Sequence, residues 1–168
     1  FNITVNSVNN VPEIANVDQR NVNEDDNFLF NLADFNNKFF DADGTLLDSI
    51  RIESVPKRGK LVLGTDTIRQ VALPRKIQSS IIGTLRYIPD ANINGKDTVS
   101  YNAFSGGDLA DASKLIIVTI NPVNDIPTIS DVIRDTLQED GSVALSGAWF
   151  TGVYSDIEAS PLTNIRIT

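Results

Sequence analysis

The chain has 168 residues and a formal net charge of −8, and it contains no cysteine, methionine or histidine. Without thiols or imidazoles it has no disulfides, no Cys or His zinc sites and none of the usual nucleophile and base pairs, which excludes most catalytic templates. The acidic balance argues against nucleic acid, which requires an excess of Lys and Arg, and favours cations as partners.

Short strands follow one another along the chain, because apolar and polar residues alternate with a period of two. The alternating apolar positions are Phe28, Phe30 and Leu32, Ile50 and Ile52, Leu61 and Leu63, Leu85 and Tyr87, Val99, Tyr101 and Ala103, and Ile116, Val118 and Ile120. Only Asp34 to Phe40 indicate a helical turn. This pattern of many short strands predicts an all-β fold, an antiparallel β-sandwich of immunoglobulin-like type.

The start of the chain repeats at its end. A gapless shift of 115 residues gives 16 identities in 53 aligned positions, and a fixed period of this kind predicts a tandem array. The recurring residues include Asn9, Pro12, Glu24, Asp25 and Asp41, which return as Asn124, Pro127, Glu139, Asp140 and Asp156. We therefore predict the last strand of a preceding repeat in residues 1–6, a complete sandwich repeat in 7–121, and the N-terminal part of the next repeat in 122–168.

Oxygen-bearing side chains cluster in the sequence around Glu24, around the Asp41-Ala42-Asp43-Gly44 segment and in both linkers. Carboxylates and amides without nitrogen or sulfur ligands suit a hard cation such as calcium. The spacing excludes an EF-hand loop, and an isolated Asp-Ala-Asp-Gly is more often a polar turn. However, Asp156 and Glu158 keep two carboxylates at the same spacing in the second repeat, which favours a metal site.

The sequence at 121–127, Asn-Pro-Val-Asn-Asp-Ile-Pro, resembles the linker of bacterial cadherin-like tandem repeats found in large secreted adhesins. It is also similar to the Asp-Val-Asn-Asp-Asn-x-Pro linker of cadherins. Further segments resemble the same repeat in order and spacing, namely 22–25, 41–43, 54–61, 83–89 and 92–97. The resemblance therefore extends over essentially the whole chain.

In that family calcium binds where consecutive repeats meet, so the resemblance implies two sets of ligands. For the junction within this chain the implied ligands are Glu24, Asn124, Asp125, Asp156 and Glu158, with Asp97 as a further candidate. For the junction with the preceding repeat they are Asn9, Asn10, Asp41 and Asp43. The chain departs from the family pattern at Asn10, where the second linker has Asp125, and at Ser105, where the family usually has an aspartate before Gly-Gly.

These observations predict a protein that is not an enzyme but a calcium-rigidified structural spacer of an extracellular or cell-surface adhesin. Its expected partners are the neighbouring repeats of the same polypeptide, and no nucleic acid. No apolar run reaches the roughly 20 residues of a membrane span, and no signal-peptide pattern opens the chain, so we expect export and anchoring signals elsewhere. The truncated repeat leaves Val143, Leu145, Ile165 and Ile167 without a second sheet, which predicts self-association or strand addition.

Other interpretations stay open at this point. Residues 51–96 carry nine basic residues against three acidic ones, which is typical of a solvated strand face but also suits a ligand-binding module for a polysaccharide or another protein, centred on Lys57, Arg58 and Lys60. A subunit of an extracellular polymer, assembled by strand addition, is a further alternative. Trp149 is predicted to be a core residue rather than a platform for a sugar.

Overall fold

The computed structural model describes residues 1–6, 8–131 and 136–166. The chain divides into two compact units, Phe1–Pro122 and Val123–Thr168, next to the predicted boundary between residues 121 and 122. Within the described residues, none of the helices has the length and apolar character that a membrane crossing requires.

The first unit consists mainly of strands joined by short turns. Its strands are β1 (Glu13–Ile14), β2 (Val17–Asn23), β3 (Phe28–Leu29), β4 (Phe39–Phe40), β5 (Ser49–Ile52), β6 (Gly59–Leu63), β7 (Asp66–Thr67), β8 (Arg75–Gln78), β9 (Leu85–Pro89), β10 (Gly95–Ser105), β11 (Asp108–Leu109) and β12 (Lys114–Asn121). One short helix, α1 (Leu32–Asn36), and two 3₁₀ helices, Gln70–Ala72 and Ser79–Thr84, interrupt them. The all-β prediction is confirmed.

Two larger sheets form this unit. The first has the strand order β2-β12-β10-β5-β8, with β11 also paired to β10, and the second has the order β3-β9-β6-β7. All pairings are antiparallel except that of β2 with β12, which is parallel. The predicted antiparallel arrangement therefore holds for the described strands of this unit except at this one pair. Parallel neighbours need a long connection, and nearly the whole unit separates β2 from β12 in sequence.

The two sheets contribute to one hydrophobic core. Alternate residues of β10 and β12, such as Tyr101 and Val118, are buried, and so are Leu61 on β6 and Tyr87 on β9. Successive side chains of a strand point to opposite faces, so a period of two places every second residue in the core. This explains why the alternating positions in β5, β6, β9, β10 and β12 could be assigned correctly as strands.

Helix α1 begins earlier than the predicted turn at Asp34 to Phe40. It includes Leu32, which the alternating pattern had predicted to lie in a strand. A capping box fixes the start: the Asn31 side chain accepts from the Asp34 N–H at 3.1 Å, and the Asp34 carboxylate accepts from the Asn31 N–H at 2.9 Å. Two orphan donors of the first turn are thereby satisfied. Phe39 and Phe40 do not continue the helix, since they pair with β1.

The second unit contains β13 (Thr128–Ile129), α2 (Gly147–Thr151) and β14 (Tyr154–Ser155). Each begins and ends 115 residues after β1, α1 and β4 respectively, and β13 pairs with β14 in the register of β1 with β4. None of its residues described at 123–131 and 136–166 is buried.

The degree of burial of individual residues bears on three predictions from the sequence. Residues 1–6 are exposed and in no strand, so their assignment to a preceding repeat stays a prediction. Val143, Leu145 and Ile165 are exposed, as expected for strands without a partner sheet, while Ile167 lies outside the described residues. Trp149 is half-buried on α2.

Candidate metal centre

The first linker and the Asp41 to Gly44 turn meet at one end of the β1 and β4 ladder. The ladder is antiparallel, with Glu13 opposite Phe40. The linker therefore enters β1 at the same end at which the chain leaves β4. This local topology brings residues distant in sequence together, as the predicted ligand set requires.

A hydrogen-bonded chain joins the linker to the turn. The Asn10 N–H donates to Asp43 Oδ2 at 2.6 Å, and the Asp43 N–H donates to Asp41 Oδ1 at 2.9 Å. The Gly44 N–H then donates to the Asp41 carbonyl at 3.1 Å, and its φ of +74° is one that glycine adopts without strain. Three of the four residues predicted for this junction are thus in contact.

Asp41 is the buried member of this group, with 7% of its surface exposed. Its Oδ2 has no hydrogen-bond partner of good geometry among the described residues. Burial by itself raises the pKa of this carboxyl, but the Thr45 and Ser105 hydroxyls and the Asp43 N–H outweigh burial and hold the pKa below its ordinary value. The carboxyl is therefore ionised and held in place, while Oδ2 keeps lone pairs that a cation could use.

Asp108 completes the oxygen-rich end, and the sequence reasoning did not select it. The Asn9 side-chain amide donates to the Asp108 carboxylate. Gly106 lies in the turn that carries Asp108, and its φ of +57° is one that glycine adopts without strain. The signal was present in the turn at 105–108, where an aspartate follows the two glycines even though Ser105 stands before them.

The second unit contains the same linker contact at the same shift. The Asp125 N–H donates to Glu158 Oε2 at 3.2 Å, as Asn10 does to Asp43. The Asn124 amide donates to the Asp125 carbonyl at 3.0 Å. Asp156 accepts from the Ser160 N–H at 2.9 Å and from the Tyr154 hydroxyl at 3.3 Å. Asn124, Asp125 and Glu158 are therefore linked by hydrogen bonds, while Asp156 is fixed within the turn that carries Glu158.

Glu24, the fifth residue assigned to that junction, belongs to the first unit. It is buried, with 4% of its surface exposed, and it directly follows β2. Its backbone N–H donates to the Asn121 carbonyl at 3.1 Å, so the residue is fixed beside the last residue of β12. A buried carboxylate at the start of the second linker is consistent with the predicted role.

Asp97 has a different environment from the other predicted ligands. Its Oδ1 accepts from the backbone N–H groups of Lys57 and Thr98, at 3.0 Å and 2.8 Å. Its Oδ2 accepts from the Arg58 N–H at 2.9 Å and from the Tyr87 hydroxyl at 2.8 Å. Both oxygens are saturated by protein donors, so the geometry assigns Asp97 to the connection between strands and leaves no lone pair for a metal.

The basic residues singled out in the sequence are not one free strip. Lys57, Arg58 and Lys60 are exposed, but the Arg58 guanidinium donates to the Asn94 carbonyl at 2.8 Å.

Comparison with protein-family models, curated proteins and solved structures finds no match for this chain.

Proposed function

We propose that the chain is a calcium-rigidified spacer of an extracellular multi-repeat adhesin, built from immunoglobulin-like or cadherin-like β-sandwich repeats. One observation carries the proposal. A backbone N–H of the linker donates to an acidic side chain of the following turn in both units, from Asn10 to Asp43 and from Asp125 to Glu158. The same carboxylate-bearing connection recurs 115 residues later, as an array of calcium-binding junctions requires.

The chemistry of the donors supports calcium over softer metals. Asp41, Asp43 and Asp108 supply carboxylate oxygens at the first linker, and amide oxygens are available from the asparagines beside them. Calcium takes six to eight such oxygens in flexible geometry. At the second linker we propose Glu24, Asn124, Asp125, Asp156 and Glu158 as ligands, since the resemblance assigns them to one junction.

The mechanical role follows from the charges. Without a cation, carboxylates gathered at a linker repel one another and oppose a fixed geometry. A bound calcium ion attracts all of them, so the linker and the turns on both sides are held together. A spacer of this kind would project an adhesive region from the cell surface in a defined direction.

Thermal unfolding in calcium and in chelator tests this proposal. A ligand that binds only the folded chain stabilises it by about 2.7 kcal/mol at a hundredfold excess over Kd. We therefore expect the melting temperature to rise as calcium increases to the millimolar range typical of extracellular modules. Asp125→Asn combined with Glu158→Gln should remove the part of the rise that comes from the second linker, and unchanged melting of the natural chain would contradict the proposal.

A further inference from the structure

A cleft lies at a lateral edge of the first unit, away from the linker residues. It has a volume of about 380 Å³ and borders the loop that leads from β7 to β8. These two strands are the edge strands of the two larger sheets. The volume is in the range of small-molecule sites, which span roughly 300 to 1,000 Å³.

Two arginines line this cleft without acidic partners. Arg69 and Arg75 are both exposed, and neither forms a salt bridge within the described part of the chain, where the ion pairs involve Arg20, Lys38 and Arg51 instead. A guanidinium presents a planar fork of donors that matches a carboxylate in two parallel hydrogen bonds. The cleft therefore offers donors suited to a ligand carboxylate.

The remaining polar groups differ in character from the arginines. Asp66 lines the same cleft and is exposed, and Thr65 and Thr67 also line it. An ionised carboxylate only accepts hydrogen bonds, so Asp66 repels a simple polyanion and attracts a hydroxyl. Arginines and an aspartate in one cleft fit a ligand that combines a carboxylate with hydroxyl groups.

The apolar part of the lining fits the same ligand. Leu63, Ile68 and Ala72 contribute it, and Ile68 is the buried residue among them. A ring with an apolar C–H face can pack on such a surface while its polar groups reach the edge. Residues 51–96, which include the cleft, carry nine basic residues against three acidic ones, and this local excess attracts anions to a chain whose net charge is −8.

We propose that the cleft binds a uronic acid residue of an anionic polysaccharide. Arg69 and Arg75 bind the sugar carboxylate, and Asp66 accepts hydrogen bonds from the sugar hydroxyls. The inference does not depend on calcium binding at the linkers. It also moves the proposed ligand surface from Lys57, Arg58 and Lys60 to the loop before β8.

Calorimetric titration of the full chain with oligogalacturonate tests the proposal. The titration is done in chelator, so that no metal ion can bridge the protein and the polysaccharide. We expect binding that Arg69→Gln combined with Arg75→Gln weakens at least about tenfold, the effect of losing one charge-assisted contact. The control, Lys57→Gln with Lys60→Gln, removes the same charge and should change Kd less than about twofold. Melting curves in chelator verify that both variants fold.

Asp66→Asn separates sugar recognition from simple charge attraction. The substitution removes a negative charge, so it would tighten binding to any ligand held by charge alone. We expect weaker binding, because Asp66 accepts from sugar hydroxyls. Tighter binding by this variant, no binding by the natural chain, or equal losses in the cleft variant and its control would each overturn the proposal.

Two further probes define the ligand class. Polyglutamate carries carboxylates without sugar hydroxyls, and dextran sulfate carries sulfates in place of carboxylates. We expect both to bind more weakly than oligogalacturonate. Equal or tighter binding of either probe would show a general polyanion surface and contradict the assignment to uronic acid.

Discussion

Asp41 and Asp97 are both buried aspartates of the first unit, but they differ in their supply of hydrogen-bond donors. Four protein groups donate to Asp97, whereas Oδ2 of Asp41 has no partner of good geometry among the described residues. The fold itself supplies all the donors that the Asp97 carboxylate needs. The Asp41 carboxylate has capacity for a cation, so we expect the two residues to respond differently to substitution.

Asp97→Asn should destabilise the first unit without changing its response to calcium. The amide group keeps one acceptor oxygen but places a donor against groups that also donate. We expect a loss of about 3 kcal/mol in the free energy of unfolding, the scale of one or two hydrogen bonds to a charged group. Urea unfolding with and without calcium measures both quantities. A stable variant that no longer responds to calcium would show instead that Asp97 is a ligand.

Asp41→Asn combined with Asp43→Asn should leave the fold intact, because both residues lie in a turn at the end of the unit. The substitutions lower the repulsion among carboxylates, so we expect unfolding in chelator to change by less than about 1 kcal/mol. In a longer chain that includes the preceding repeat, scattering in calcium should show a less extended particle.

The matched control for that experiment is Asp66→Asn combined with Asp90→Asn, which removes the same charge from exposed positions away from the first linker. It should keep the dimensions of the natural chain in calcium. If the Asp41 and Asp43 variant fails to fold, the pair is a structural turn and the metal assignment is wrong.

The buried tyrosines predict a loss of stability in alkali. Burial raises the pKa of Tyr87 and Tyr101 above the ordinary 10.0, and the charge of Asp97 adds to this at Tyr87, as that of Asp18 does at Tyr101. Above pH 10 the unfolded tyrosines release protons that the folded ones keep, so stability present below pH 10 is lost as the pH rises.

A pH titration followed by phenolate absorbance checks this at the level of single groups. The chain has three tyrosines. We expect Tyr87 and Tyr101 to ionise only together with unfolding, seen as a sharp step that coincides with loss of circular dichroism. A smooth titration of all three tyrosines near pH 10 with the fold retained would contradict their burial.

At the scale of elements, the sequence predicted most where the pattern is local. Alternating residues located β5, β6, β9, β10 and β12, because a period of two is set by strand geometry itself. The start of α1 depends on the reciprocal Asn31 and Asp34 contacts, and the parallel pairing of β2 depends on which distant strand lies beside it. Local periodicity encodes neither feature. The predicted start of the helical turn and the predicted antiparallel pairing of β2 were therefore wrong.

The candidate site was predictable to a similar extent. The resemblance to cadherin-like repeats assigned Asn10, Asp43, Asp125 and Glu158 to the two linkers, and the structure joins them in two equivalent contacts. Asp108 lies outside residues 1–53, which are the residues that the shift of 115 aligns with a second copy, so repetition could not select it. The donors around Asp97 come from distant segments, which no spacing rule reveals.

The second unit predicts rapid hydrogen exchange. It has α2 and the β13 and β14 ladder, but none of its described residues is buried. A short ladder without a hydrophobic face is marginal in water. In dilute solution we expect its amides to exchange at least about a hundredfold faster than those of β10 and β12, because local opening there costs little free energy.

Concentration dependence provides the control for that measurement. Protection of residues 136–166 that grows with protein concentration would indicate strand addition between copies, which is the polymer alternative. Strong protection of the same amides in a dilute monomer would contradict the prediction, since it would show that the segment folds without a partner.

At the scale of the whole molecule, the central claim is that calcium stiffens a chain of repeats. The net charge of −8 and the carboxylates gathered at both linkers oppose a fixed geometry when no cation is present. Bound calcium reverses the sign of that interaction. The molecule should therefore respond to calcium mainly at its linkers, while the core of the first unit stays the same.

Small-angle X-ray scattering of the full chain, in calcium and in chelator, measures this stiffening most directly. We expect calcium to give a particle of one defined maximum dimension, and chelator to give the broad distance distribution of units joined by a flexible linker. Magnesium, which demands a tighter octahedral geometry, should be less effective. Asp125→Asn with Glu158→Gln should scatter in calcium as the natural chain does in chelator. Identical curves for the natural chain under both conditions would contradict the account.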